Sequence, residues 1–372
     1  MMKEKDVALL APALLAWWED NGRKDLPWQQ NPTPYRVWIS EIMLQQTQVG
    51  TVIPYYDRFT GVFPDVQALA RAELDSVLHL WSGLGYYARA RNLHRAAGEI
   101  CERFGGELPS DIGELESLPG IGRSTAGAIL ALAGNLRHPI LDGNARRVLA
   151  RVFGVAGWPG DTAVNRELWQ YADACTPAQR VANYTQAIMD LGASVCTRRN
   201  ANCVSCPLSV QCIARQRDVV DQIPAPRPKR ERPQRETVLV MVVRDDGAVL
   251  LEKRPSSGVW GGLWGFPETV DVDQVPAWCH SRVGIVPQRI QVRSVLRHGF
   301  THFDLAMTPV EAHITSWAAR AMEGDRWLWY NPNQPAAVGI AAPVARLLES
   351  FVERQDLETK NDPHGAVRIA QG

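Results

Sequence analysis

Two carboxylates, four clustered cysteines and one glycine-rich turn are the residues of this 372-residue chain whose types and spacing could do chemistry. Glu41 lies in PYRVWISEIMLQQTQVG, where Glu41, Gln45 and Gln48 recur at i, i+4 and i+7 and predict a polar stripe on a helix crowded with Trp38, Ile42 and Met43. Such neighbours desolvate a carboxylate and raise its pKa toward that of a useful acid. Standing alone, the same residue also reads as an exposed helix glutamate. Asp142 opens LDGNARRVLARVF, ahead of an amphipathic helix with Val148, Leu149 and Val152 on one side. It reads either as an N-terminal cap or as a second working carboxylate. Two carboxyl groups held in different protonation states are the minimum for general acid–base work.

Cys196, Cys203, Cys206 and Cys212 are spaced C-x6-C-x2-C-x5-C, while Cys101, Cys175 and Cys279 are scattered. Four thiolates in one short loop suit an iron–sulfur cluster or a four-cysteine zinc site, and in a reducing compartment the grouping argues against a disulfide framework. Arg198, Arg199, Arg215 and Arg217 flank the group, as a rigid basic surface for phosphates or as an ordinary solvated face.

In LPGIGRSTAGAIL, Gly120 and Gly122 permit positive φ and leave no side chain between backbone amides and an approaching group. Leu118 and Ile121 can anchor the turn, and the helix that begins at Arg123-Ser124-Thr125 offers free amides with partial positive charge. The combination is a seat for a phosphate. Alone it also reads as an interhelical loop.

Helices must hold most of these groups. From the start to about residue 217 apolar positions recur at three and four, interrupted by GVFPDV, FGGELPSD and GVAGWPGD, which predicts roughly ten helices. DQIPAPRPKRERPQRE, residues 221–236, is too rich in proline and charge to bury a core and reads as a linker. Its Lys229, Arg230, Arg232 and Arg235 are spacer charges or phosphate contacts. TVLVMVVRDDGAVLLEKR then carries two β-branched runs about Asp245-Asp246-Gly247, a hairpin signal that opens a mixed α and β domain. Beyond about Gln355 the chain is polar, as a frayed tail would be. Lysine plus arginine balance aspartate plus glutamate at 40 each, so nucleic-acid binding would rest on local patches and backbone donors. The apolar run near the N-terminus is broken by Pro12 and followed by acids, reading as an amphipathic helix and not as a signal or membrane span. A soluble, cytosolic protein is the expectation.

LPGIG, LDGNARRVLAR and the cysteine spacing together resemble the helix-hairpin-helix DNA glycosylases, in which the hairpin binds DNA phosphates without reading sequence. In the endonuclease III branch the position of Ser124 is a lysine that forms a Schiff base and cleaves the backbone. A neutral hydroxyl forms no imine, so the resemblance implies a monofunctional enzyme that leaves an intact abasic site. SEIMLQQTQV and LDGNARRVLAR narrow the likeness to the adenine DNA glycosylases of the MutY type, which remove adenine mispaired with 8-oxoguanine or guanine. That likeness implies that Glu41 protonates adenine N7 and later helps activate water, that Asp142 stabilises the sugar cation or traps it covalently, and that Asn144 orients Asp142. It implies that Gln46 and Tyr86 invade the base stack, that Trp28, Leu44 and Gln186 line the adenine pocket, and that Gly120, Gly122 and Ser124 meet the DNA backbone. Where the family usually reads Leu-Pro-Trp-Arg, this chain has Gln29, which removes a cation near that pocket.

Residues 237 to about 352 resemble a Nudix fold, with GVWGGLWGFPE near the start of the catalytic box. The glutamate run that would hold magnesium is missing after Glu268, so this domain is expected to bind without hydrolysing. The resemblance implies recognition of 8-oxoguanine by Phe300-Thr301-His302, where bacterial members carry Phe-Ser-His. Phe300 and Phe303 also read as strand core, with His302 an exposed strand histidine. The expected architecture is an all-α helix-hairpin-helix glycosylase core with a [4Fe-4S] cluster domain, plus a C-terminal α+β Nudix-like domain. Residues 1–27 and 138–220 would form the cluster domain, with Cys196, Cys203, Cys206 and Cys212 as ligands. Residues 28–137 would form a six-helix barrel, 221–236 the linker, 237–352 the recognition domain and 353–372 the tail. The substrate implied is double-stranded DNA carrying A:8-oxoguanine or A:G, handled by a cytoplasmic, nucleoid-associated monomer away from any membrane. A bifunctional endonuclease III-like glycosylase and a non-catalytic lesion-binding protein are the competing readings.

Overall fold

The computed structural model describes residues 4–228, 231–315 and 326–361. Lys229 and Arg230 of the linker lie outside the described residues. The chain divides into two compact units, one of Met1–Arg71 with Arg91–Lys229, the other of Ala72–Ala90 with Arg230–Gly372.

The N-terminal half is helical: α1 (Glu4–Asn21), α2 (Pro34–Leu44), α3 (Val49–Val62), α4 (Val66–Arg71), α5 (Leu74–Leu80), α6 (Ala88–Phe104), α7 (Ile112–Glu116), α8 (Arg123–Gly134), α9 (Gly143–Phe153), α10 (Thr162–Cys175), α11 (Val181–Ser194) and α12 (Ile213–Gln216). Among the described residues twelve helices stand where the periodicity suggests roughly ten, because α4, α5, α7 and α12 are too short for an apolar period to declare itself. Pro12 does not interrupt α1. Of these elements, α5 belongs to the second unit although the sequence sets it within the stretch 28–137.

The core of the first unit packs Leu10 and Leu14 of α1 against Val148, Leu149 and Val152 of α9 and Tyr184, Ile188 and Leu191 of α11. The apolar side predicted for the helix after Asp142 is therefore its buried side. Two glycines set the spacing around that helix. A Cβ on Gly127 of α8 would lie 2.5 Å from the Pro139 carbonyl oxygen, and one on Gly192 of α11 would lie 2.6 Å from Asn144 Cβ. The segment 139–144 is thus gripped from both sides by backbone that only glycine leaves bare.

The second unit is built on a sheet of β1 (Gln234–Arg244), β2 (Val249–Lys253), β3 (Trp264–Gly265), β4 (Glu268–Thr269), β5 (Arg289–Val292), β6 (Leu296–Gly299), β7 (Asp304–Ile314) and β8 (Trp327–Tyr330), with α13 (Val275–Val283) and α14 (Ala342–Asn361). The central path runs β3-β2-β1-β7-β5. β1 lies parallel to β7 from Gln234↔Asp304 to Arg244↔Ile314, and its run Val238–Val243 is buried throughout, as a strand covered on both faces must be. Val275, Cys279 and Val283 of α13 cover Val238, Val240 and Val242. The Asp245-Asp246-Gly247 turn is present, with Gly247 at φ +83°. α14 continues past Gln355 to Asn361, so the helical order extends further than a frayed tail from that residue would allow.

Candidate active site

α2 begins with Pro34 at its first position and Thr33 as cap, whose hydroxyl accepts a bond from Arg36 N–H at 3.2 Å. It buries Val37, Trp38, Ile42 and Met43 and leaves Glu41 half-exposed at its rim while protein atoms surround the carboxyl group. Burial first, then the neighbouring charge of Asp142, pushes the Glu41 carboxyl up to about 8. The two carboxylates are thus brought within electrostatic reach of each other. The predicted stripe does not continue: α2 ends at Leu44, Gln45 caps it, and Gln48 caps α3. The break falls at Gln46, which sits at φ +59°.

Asp142 is an N-cap in fact. Its Oδ1 accepts from Ala145 N–H at 2.8 Å and its Oδ2 from Asn144 N–H at 3.0 Å. Both oxygens are therefore fixed in place by backbone donors. Asn144 meets Asp142 through its backbone; its side-chain oxygen instead accepts from Arg147 Nη2 at 2.9 Å. Preceding the cap, Leu141 N–H donates to Ser124 Oγ at 3.0 Å.

The turn before α8 anchors on buried Leu118 and Ile121. Gly120 is at φ +80°, but Gly122 is at φ −101° and caps α8 with no side-chain bond. Only Gly120 uses the left-handed region. At Gly122 a Cβ would meet nothing within 4 Å, so open space faces the α8 amides.

Trp28 is buried edge-on against Tyr56, their ring centres 5.4 Å apart. It joins Trp18, Lys24, Gln29, Val37 and Gln186 in lining a cavity of about 250 Å³. Val37 stands one helical turn before Glu41 on the same face of α2. Leu44 is half-buried at the end of α2 and is not part of that lining. Gln29 supplies no cation, but its side chain closes its own turn, accepting from Leu26 N–H at 3.1 Å and donating to Arg23 O at 2.9 Å. Lys24 gives the same cavity a positive charge, held 5.1 Å from the Trp18 ring centre. Gln186 donates to Asp190 Oδ1 at 2.9 Å, leaving its carbonyl oxygen as the remaining acceptor. Sequence reading missed Asp190, a buried carboxylate that also takes Arg23 at 2.6 Å and the Trp18 indole at 3.1 Å. Its spacing of four from Gln186 on α11 was the available signal.

Cys196, Cys203, Cys206 and Cys212 line one further cavity with Arg151 and Leu191. Among the described residues, no three His, Cys, Asp or Glu side chains converge on a single metal ion. The donor set is all sulfur and is prepared for negative charge: Arg151 Nη1 donates to Cys196 Sγ at 3.3 Å, and the Leu208, Ala214 and Arg215 amides face Cys206 and Cys212. Burial first, and then the neighbouring Cys196, Cys212 and Cys203, pushes the Cys206 thiol up to about 11, and a bound cation would favour its thiolate. One turn before Arg151 along α9, Arg147 donates to Cys196 O and to Gly192 O, both at 2.7 Å. The cysteine loop and Asp142 are therefore tied to one helix.

Tyr86 belongs to the second unit, at φ +50° and 52% exposed, with the Arg89 guanidinium 5.4 Å from its ring centre. Gln46 and Tyr86 are both non-glycine residues held at positive φ, a conformation that costs energy. Phe300-Thr301-His302-Phe303 forms the tip of the β6–β7 hairpin, closed by Phe300 N–H to Phe303 O at 2.8 Å. Thr301 and His302 are exposed turn residues, while Phe303 is buried. Phe300 stacks on Phe303 with centres 4.6 Å apart and meets Trp260 at 5.2 Å. Trp260, itself at φ +53°, was not legible in its loop of glycines. α13, which follows Glu268, contains no aspartate or glutamate.

A model of the HhH-GPD superfamily base excision DNA repair proteins matches residues 39–174, and one of the NUDIX domain matches residues 238–350. The adenine DNA glycosylase of Buchnera aphidicola subsp. Acyrthosiphon pisum is 37% identical over 343 residues, covering 92% of this chain and 97% of its own. That of Mus musculus is 35% identical, over 90% of this chain and 77% of its own. Among solved structures, a thermostable thymine-DNA glycosylase at 25% identity matches with a TM-score of 0.52, covering 57% of this chain and 98% of its own. No described helix is long and apolar enough to cross a membrane. Because the identity to the Buchnera enzyme extends across both the helical core and the sheet domain, the chain belongs to the adenine DNA glycosylase family.

Proposed function

We propose that this glycosylase removes adenine paired with 8-oxoguanine or guanine in double-stranded DNA and leaves the abasic strand intact. The observation that carries the chemistry is the unequal pair: Glu41, whose proton is retained to about pH 8, beside Asp142, whose two oxygens are fixed by backbone amides. Cleaving an N-glycosidic bond needs a proton for the departing base and negative charge beside an oxocarbenium-like sugar. Glu41 delivers the first to adenine N7, and as the resulting base it assists water. Asp142 supplies the second.

Adenine reaches these groups only when turned out of the helix. Trp28 and Gln186 hold it in the cavity they line with Val37, which stands one helical turn before Glu41, with Leu44 at the end of the same helix. Gln46 and Tyr86 each invade the base stack near the lesion, the backbone strain at each supporting that role. The α8 amides behind Gly120 and Gly122 seat a phosphate. Phe300, Thr301 and His302 read the opposite 8-oxoguanine, since an exposed polar tip on an aromatic base can combine hydrogen bonding with stacking. Ser124 has no amine and spends its hydroxyl on Leu141, so no imine forms and no strand cleavage follows.

Relatives in this family generally carry a [4Fe-4S] cluster. Cys196, Cys203, Cys206 and Cys212 would hold one here, and it would supply rigidity to the loop bearing Arg198 and Arg199, with no redox step required for hydrolysis. The enzyme acts as a cytoplasmic monomer on DNA.

Single-turnover cleavage of a duplex with one A:8-oxoguanine pair, with and without alkali, tests the reading. Breaks only after alkali are expected. Breaks without alkali would establish a lyase activity, and no breaks at all a binding protein.

A further inference from the structure

The stretch Ala72–Ala90 is flanked in sequence by the helical unit yet belongs to the second one. Specific bonds hold it there. Lys253 of β2 pairs with Asp75 of α5 at 2.9 Å, and the Trp264 indole of β3 donates to the same carboxylate oxygen at 3.4 Å. The Lys253 ammonium also lies 5.6 Å from the Trp264 ring centre, so the three side chains fix one another. A second contact closes over Gly339, where a Cβ would lie 2.6 Å from Leu78 Cβ. Tyr87 donates to the Ile340 carbonyl at 3.3 Å alongside it. Tyr86 stands next to Tyr87 in the same stretch, and the β6–β7 hairpin with Phe300, Thr301 and His302 is part of the same unit.

We infer that the Asp75–Lys253–Trp264 cluster couples Tyr86 to the domain that reads the opposite base, so that docking of 8-oxoguanine at the hairpin tip also places the tyrosine in the stack. The inference rests on the mispair reading proposed above. Asp75 and Lys253 are positioning residues: they act on the lesion through the tyrosine, without contact to the reacting atoms.

The test is a double-mutant comparison of single-turnover rates on A:8-oxoguanine and A:G duplexes. Lys253→Met is expected to lower the ratio of the two rates about tenfold, a typical coupling between sites, while the A:G rate stays within about twofold. In a Tyr86→Ala background the same change is expected to leave the ratio unaltered, because the coupled group is gone. Asp75→Asn, which removes charge without volume, must behave as Lys253→Met does. Equal losses in both backgrounds would overturn the coupling, since Lys253 would then act on the recognition domain itself. So would an unchanged ratio in Lys253→Met. A wild-type ratio near one would instead overturn the mispair reading on which the coupling depends.

Discussion

Ser124 and Leu141 are joined by a hydrogen bond of 3.0 Å from the Leu141 amide to the serine hydroxyl, one residue before the carboxylate cap. Leu141 is 1% exposed, so its amide has little access to water when that acceptor is lost. With Gly127 three residues further along α8 admitting the Pro139 carbonyl, this bond sets where Asp142 begins α9. Ser124→Ala is therefore expected to cost about 1–2 kcal/mol of stability. The glycosylase rate should fall with it, through a loosened Asp142. Thermal melting and single-turnover rates check both; an unchanged melting temperature would mean that the amide finds another partner.

Glu41 sets a pH dependence whose direction follows from its environment. The folded protein holds this proton to about pH 8, whereas an unfolded chain releases it near the ordinary glutamate value of about 4.3. The proton-donating form is lost as pH rises through 8, so the single-turnover rate should decline there. Stability moves the same way: between the two values the native state binds more protons than the unfolded one, and stability falls as pH rises. Glu41→Gln should abolish turnover by about 10²-fold or more while raising stability at pH 8 relative to wild type, an advantage that disappears below pH 4. A rate that is flat from pH 6 to pH 9 would remove Glu41 as the acid.

What could be read without coordinates divides by the range of the interaction. The N-cap at Asp142, the hairpin at Gly120 and the shared cavity of the four cysteines follow from neighbours a few residues apart, and the structure has all three. The polar stripe through Gln45 and Gln48 failed because α2 stops at Leu44, in a turn built on the positive φ of Gln46 that no glutamine advertises. Asp190, Gly127 and Gly192 escaped because their meaning lies in partners from other helices: Arg23, Pro139 and Asn144. The grouping of Ala72–Ala90 with the sheet unit likewise depends on Lys253, far along the chain.

The two glycines of the hairpin should separate folding from DNA binding. Gly120→Ala forces a side chain into φ +80° and brings its Cβ to 2.9 Å from Asn92 Cβ, so it is expected to lose about 2 kcal/mol or more of stability. Gly122→Ala meets open space at φ −101° and should cost under about 1 kcal/mol, chiefly through a poorer cap. On the proposed seat for a phosphate at the α8 amides, its methyl group would nonetheless occupy the approach. Duplex affinity, measured with Glu41→Gln as the second substitution to prevent turnover, should therefore drop severalfold for Gly122→Ala despite its near-normal melting. Affinity unchanged by Gly122→Ala would mean that the hairpin does not receive the backbone.

The cysteine loop makes a prediction about metal content and about the active site together. Cys206→Ser leaves three thiols where an iron–sulfur cluster takes four, so purified protein should lose iron, inorganic sulfide and visible absorption. Because Arg147 and Arg151 of α9 both bind the loop around Cys196, the loss should also reach Asp142 at the other end of that helix. The expected result is a lower melting temperature with a reduced single-turnover rate, and only a small change in the pH at which the rate declines, since burial, the larger cause of the Glu41 shift, is set by α2 and not by Asp142. Elemental analysis decides the metal: iron with matching sulfide in the wild-type protein supports the cluster, and one zinc per chain without sulfide would replace it with a four-thiolate zinc site. A Cys206→Ser protein that kept its iron and full rate would break the link from loop to helix to carboxylate.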